Sequence, residues 1–145
     1  MRTLRLIAVV GTVLLLSPVT SRAATWRGKT EQGRVAKVVK RDRKIASVEI
    51  RYLAQCADGE VLRGATVFRP PLKVSRPRRF EDGGTYRFGV GGGERARARV
   101  YVRGKRRAGG VWTGDFRVRA RIVRDGRTTT WCKLSKTGWS APRIR

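Results

Sequence analysis

Arg95-Ala-Arg-Ala-Arg-Val-Tyr-Val-Arg103 and Phe116-Arg-Val-Arg-Ala-Arg-Ile-Val-Arg124 alternate basic and apolar residues with hardly a break. Side chains on a β-strand point to opposite faces with a period of two, so each stretch reads as a strand with one arginine face and one apolar face. Joined as a hairpin across Gly104 to Gly110, the two strands bring Arg95, Arg97, Arg99, Arg103, Arg117, Arg119 and Arg121 onto one surface around Tyr101. Ala96, Ala98, Val100, Val102, Phe116, Val118, Ala120 and Ile122 are then expected in a core. A hairpin centred on Arg107 sets Asp115 opposite Arg99 and Arg97 opposite Arg117.

The rest of the chain carries the same short alternation and no helical period. Val48, Ile50, Tyr52, Ala54 and Cys56 share one expected strand face, with Glu49, Arg51, Leu53 and Gln55 on the other. Gln32-Gly33, Arg41-Asp42-Arg43, Asp58-Gly59, Glu81-Asp82-Gly83-Gly84 and Asp125-Gly126 read as turns, and Gly91-Gly92-Gly93 as a mobile link. Pro70-Pro71 supplies no backbone donor, so Leu72 to Ser75 is expected at an edge or in a crossover. About 8–10 short strands at this spacing predict a single all-β domain, an antiparallel sandwich or a small barrel-like sheet.

Residues 1–23 have the form of a secretory signal, expected to be helical: two early arginines, an apolar run from Leu6 to Leu16, and Ser21-Arg22-Ala23 at the cleavage positions. That run is too short for the roughly 20 residues of a spanning helix, so the mature form, residues 24–145, is expected to have no transmembrane span. Export also sets the reading of the two cysteines. In an oxidising compartment Cys56 and Cys132 are expected to form one disulfide rather than a metal site.

The whole chain holds 35 basic and 10 acidic residues, with arginine far ahead of lysine. Guanidinium groups bind phosphate and carboxylate in bidentate fashion, which suits anion recognition. A GC-rich genome also enriches Arg, Ala, Gly and Val, so composition alone leaves both explanations open. Histidine is absent, which removes the commonest general base near neutral pH. The acids are scattered with no paired spacing, so no enzymatic activity, cofactor or metal is expected.

Arg27-Gly28-Lys29-Thr30 with Gln32-Gly33, then Cys56-Ala57-Asp58-Gly59, then Cys132 with Gly138-Trp139-Ser140-Ala141 and Arg143 occur in that order. In these features the chain resembles a set of uncharacterised small secreted all-β proteins of high-GC Gram-positive and related soil bacteria. The resemblance implies one disulfide-tied β-domain and no catalytic or binding residues. Trp131 directly before Cys132 and Pro142 before Arg143 depart from that pattern.

Together these features predict a secreted or envelope-associated, non-enzymatic domain. Its expected partner is an anionic polymer: teichoic acid, acidic polysaccharide or extracellular DNA. A protein-binding inhibitor or effector acting through exposed loops is the alternative from another class, and a structural domain with merely compositional basicity is a third.

Overall fold

The computed structural model describes residues 22–145, so nearly all of the expected leader lies outside the described residues. Nine strands make one antiparallel sheet: β1 (Ala23–Thr30), β2 (Val35–Arg41), β3 (Lys44–Cys56), β4 (Val61–Phe68), β5 (Val74–Arg76), β6 (Arg79–Gly91), β7 (Glu94–Arg106), β8 (Trp112–Arg124) and β9 (Arg127–Ala141). Their order is β4-β3-β2-β1-β9-β8-β7-β6-β5. Among the described residues there is no helix.

The sheet folds over and closes on itself through β9. One side of β9 follows β8, while the other pairs with β3 at Gln55–Lys133 and Cys56–Cys132 and with β1 at Lys29–Ser140 and Thr30–Trp139. Strands β9, β1, β2 and β3 thus form a hydrogen-bonded ring. The expected disulfide joins the directly opposed pair Cys56 and Cys132.

The alternation seen in the sequence fills the interior. Ala96, Ala98, Val100 and Val102 from β7 are buried with Phe116, Val118, Ala120 and Ile122 from β8, and Val48, Ile50, Tyr52, Ala54 and Cys56 from β3 join them. Rings bridge the two ends: Tyr52 lies 5.0 Å from Phe116, Trp26 meets Trp112 edge-on at 6.4 Å, and Phe68 meets Tyr86 edge-on at 6.1 Å. The two ends of the sheet are therefore brought face to face around one aromatic core.

Three local expectations are corrected. Glu81 to Gly84 is not a turn but part of β6, paired with Val100 to Arg103. A side chain at Gly83 would lie 2.8 Å from the Val100 carbonyl oxygen, so its glycine permits close strand approach rather than a reversal. Gly91-Gly92-Gly93 is a tight β6–β7 hairpin, with φ of 95°, 60° and 77° that side-chain-bearing residues rarely adopt. The third concerns register: Arg103 faces Asp115, Tyr101 faces Arg117, Arg99 faces Arg119 and Arg97 faces Arg121.

The hairpin therefore turns beyond Arg107, not at it. Gly110, at φ 79°, donates to the Arg107 carbonyl, and Arg107 donates to Val111, so Gly104 to Arg106 remain in β7. The same register sets Gly104 opposite Gly114, where the Trp139 ring packs against both inward positions. A Cβ at Gly114 would come within van der Waals overlap of both the Arg103 carbonyl and that ring.

Gly114→Ala is expected to cost about 1–3 kcal/mol or more by overpacking, read as a lower urea midpoint at unchanged m-value. Reduction of Cys56–Cys132, which closes a sequence separation of 76 residues, is expected to lower stability by about 4 kcal/mol in the chain-entropy picture. Parallel urea melts with and without reductant read that difference directly.

Candidate polyanion-binding face

The arginines occupy alternate positions on neighbouring strands, so the register stacks them in rows across β6 to β9. One row runs Arg87, Arg97, Arg121 and Trp131; the next runs Thr85, Arg99, Arg119 and Lys133. A third places Glu81, Arg103, Asp115 and Gly138 side by side. All seven sequence-predicted arginines lie on the outer side of the sheet, as does Tyr101.

Their surroundings divide them. Arg103 Nε donates to Asp115 Oδ2, and Arg117 Nε stands 3.9 Å from Asp115 Oδ1. The hydrogen bond from Arg103, reinforced by the carboxylate charge, raises the guanidinium pKa. By contrast, Arg95, Arg97, Arg99, Arg119 and Arg121 make no ion pair among the described residues. The acids Glu81 and Asp115 thus neutralise one end of the face, and the rows through Arg97 and Arg99 stay bare.

Facing cations at this spacing stand without a partner. Two unit charges about 5.5 Å apart in water repel by roughly 0.8 kcal/mol, and salt screens exposed charges further. The block is therefore a stable feature of the surface and a source of a strong summed positive field.

Tyr101 stands at the boundary between the two ends. It is half-buried, and the Arg117 guanidinium lies 5.8 Å from its ring centre. Burial, followed by the nearby Glu81 carboxylate, raises its phenol pKa.

Trp131 is the functional candidate that the sequence reading passed over. It is 59% exposed, the most exposed large apolar side chain described, and sits directly opposite Arg121. With Thr85, Arg97, Arg99, Arg119 and Arg121 it lines a notch of about 400 Å³. A signal was available: Cys132 must point inward to reach Cys56, so its neighbour Trp131 must point outward. Lys133 and Arg87 extend the same rows.

The other outer surface is basic in a different manner. On β1 to β4 the outward positions mix Arg27, Lys29, Lys37, Arg51 and Arg63 with Val35, Val39, Leu53, Val61, Val67 and Glu49. Glu49 is tied to Arg51 at 2.9 Å. Charge is thus present on both faces, but only the β6 to β9 face gathers it into a block without acids.

The fold also brings together two acids that the sequence spacing kept apart. Glu31 and Asp115 line one cleft on either side of Gly138, whose amide donates to Glu31 Oε2 at 2.8 Å. Both carboxylates accept from groups already in the fold, Asp115 from Arg103 and Glu31 from Gly138.

Neither family models, nor curated proteins, nor solved structures provide a match to this chain. Fold and face together define a disulfide-closed all-β domain that presents an arginine-rich sheet surface.

Asp115→Ala is expected to free Arg103 and Arg117 and so to tighten retention by any polyanion at fixed salt. The two arginines are about half exposed, with side-chain accessibilities of 46% and 51%. The accompanying loss of stability is therefore expected to be smaller than that of a fully buried pair. Thermal melts and binding curves on the same variant separate the two effects.

Proposed function

We propose that this chain is an exported, non-enzymatic adhesion domain that binds an anionic envelope or matrix polymer through the β6 to β9 face. Teichoic acid, acidic polysaccharide and extracellular DNA are the candidate polymers. The observation that carries this reading is the block of Arg97, Arg99, Arg119 and Arg121, adjacent in register and free of acids. A polyanion that neutralises such a block releases its condensed counterions, an entropic gain that grows with the number of contacts and falls with added salt. Arginine suits the task because its fork meets phosphate, sulfate or carboxylate oxygens in pairs.

Export is supported by the signal-like leader and by a disulfide that oxidising compartments preserve. Among the described residues no helix is long and apolar enough to cross a membrane.

Changing Arg97, Arg99, Arg119 and Arg121 together to Ser is expected to flatten the salt dependence of binding. For nucleic acid the slope of log affinity against log salt should fall by about 0.7–0.9 per lost contact. Affinity that is unchanged at every salt concentration refutes the proposal. A protein partner retained at about 0.5 M salt, beyond strong electrostatic reach, would favour the inhibitor or effector reading instead.

A further inference from the structure

Three of the four tryptophans are spent on the core: Trp26, Trp112 and Trp139 are at most 4% exposed. Trp131 is not, and nothing in the described structure stacks on its indole. Trp26, in contrast, is flanked by Arg106 and Arg143 at 5.3 and 5.9 Å, and Tyr101 carries Arg117. A large apolar ring left bare at the edge of a four-arginine block combines two contacts for one ligand, a stacking surface and a set of cations.

The polar chemistry of the notch narrows that ligand. Arg97, Arg99, Arg119 and Arg121 can only donate hydrogen bonds, and the Thr85 hydroxyl is the single side-chain oxygen lining it. The matching ligand presents acceptors, with a flat unsaturated face between them. A hydroxyl-rich sugar chain brings many donors that this lining leaves unmet. A nucleic-acid duplex offers phosphates but keeps its bases stacked inside, away from a surface indole. A single strand offers both phosphates and free base faces.

Spacing agrees with that chemistry. Alternate residues along a strand lie about 6.8 Å apart and neighbouring strands about 4.8 Å apart, so Arg121, Arg97 and Arg119 all lie on the β8 side of Trp131 within one or two such steps. A base seated on the indole therefore has a bank of cations on its β8 side for the neighbouring phosphates. Sequence-tolerant binding to single strands is built from these parts, a basic track and aromatic platforms.

We propose that the notch formed by Trp131, Arg97, Arg99, Arg119 and Arg121 is a single-stranded nucleic-acid subsite in which one base stacks on Trp131. This rests on the polyanion-binding reading and specifies its polymer.

The test titrates the disulfide-bonded protein with an oligothymidylate, a duplex of equal length, heparin and inorganic polyphosphate, following tryptophan fluorescence and affinity. Because the other three indoles are buried, a ligand-dependent change reports on Trp131. Oligothymidylate is expected to quench that emission, whereas duplex and polyphosphate leave it unchanged. Trp131→Leu should weaken oligothymidylate binding about 5- to 150-fold, the range for losing one base stack, while polyphosphate affinity holds. Trp131→Phe should recover part of the loss. An unchanged thermal melt of the Leu variant establishes that folding is intact.

Equal affinity per charge for oligothymidylate and polyphosphate, with no effect of Trp131→Leu, overturns stacking and leaves electrostatic adhesion standing. Quenching by heparin as strong as that by oligothymidylate also overturns it and makes an acidic polysaccharide the ligand. Failure of all four polyanions to bind removes both this subsite and the adhesion reading.

Discussion

The change of partners along β9 is the constraint on which the remaining structure depends. One edge of this strand follows β8, but the other serves β3 near its start and β1 near its end. Between those pairings the ladder would leave backbone groups without partners, at a cost comparable to lost hydrogen bonds. The β1–β2 turn fills the gap. Glu31 pairs with Gly138 through both its amide and its carboxylate, and the Gln32 side chain mimics a strand residue by accepting from Leu53 N and donating to Leu53 O. A Cβ at position 138 would meet the Glu31 carboxylate, so a larger residue there requires that carboxylate to shift from its hydrogen bond with the Gly138 amide.

That junction folds the sheet and so determines where the arginine rows lie. Closing β9 onto β3 turns the apolar sides of all the long strands toward one interior, and every alternate residue of β7 and β8 must then face out. The disulfide locks the same junction, because Cys56 and Cys132 are the opposed residues at the β3–β9 contact. A flat, loosely paired sheet would allow the arginines to spread and re-register. In the closed sheet their separations are those of the backbone ladder.

Selective neutralisation gives the face its polarity. Asp115 is outward by parity yet buried, covered by Arg103 and Arg117, and that row is electrostatically quiet. Two rows away the cations have no carboxylate within reach, and the exposed indole of Trp131 stands beside them. Binding surfaces for flexible polyanions combine these ingredients, since field attracts the chain and a ring holds it in place.

Alternation by itself determined the strands, the inward residues of β3, β7 and β8 and the sidedness of the arginines, because a period of two is a local property of the extended backbone. Cysteine count in a chain with a secretory-type leader likewise led to Cys56–Cys132. The tertiary structure alone decided the hairpin register, the strand character of Glu81 to Gly84, the tight turn at Gly91 to Gly93 and the partnership of Asp115 with Arg103. The register and the Glu81 to Gly84 strand depend on what packs against a position from elsewhere in the chain: Trp139 over Gly104 and Gly114, and the Val100 carbonyl against Gly83. Trp131 lies between the two. Its outward direction was implicit in its place beside Cys132, but its company of four arginines exists only because β9 pairs with β8, an adjacency that hydrogen bonding creates and local sequence does not encode.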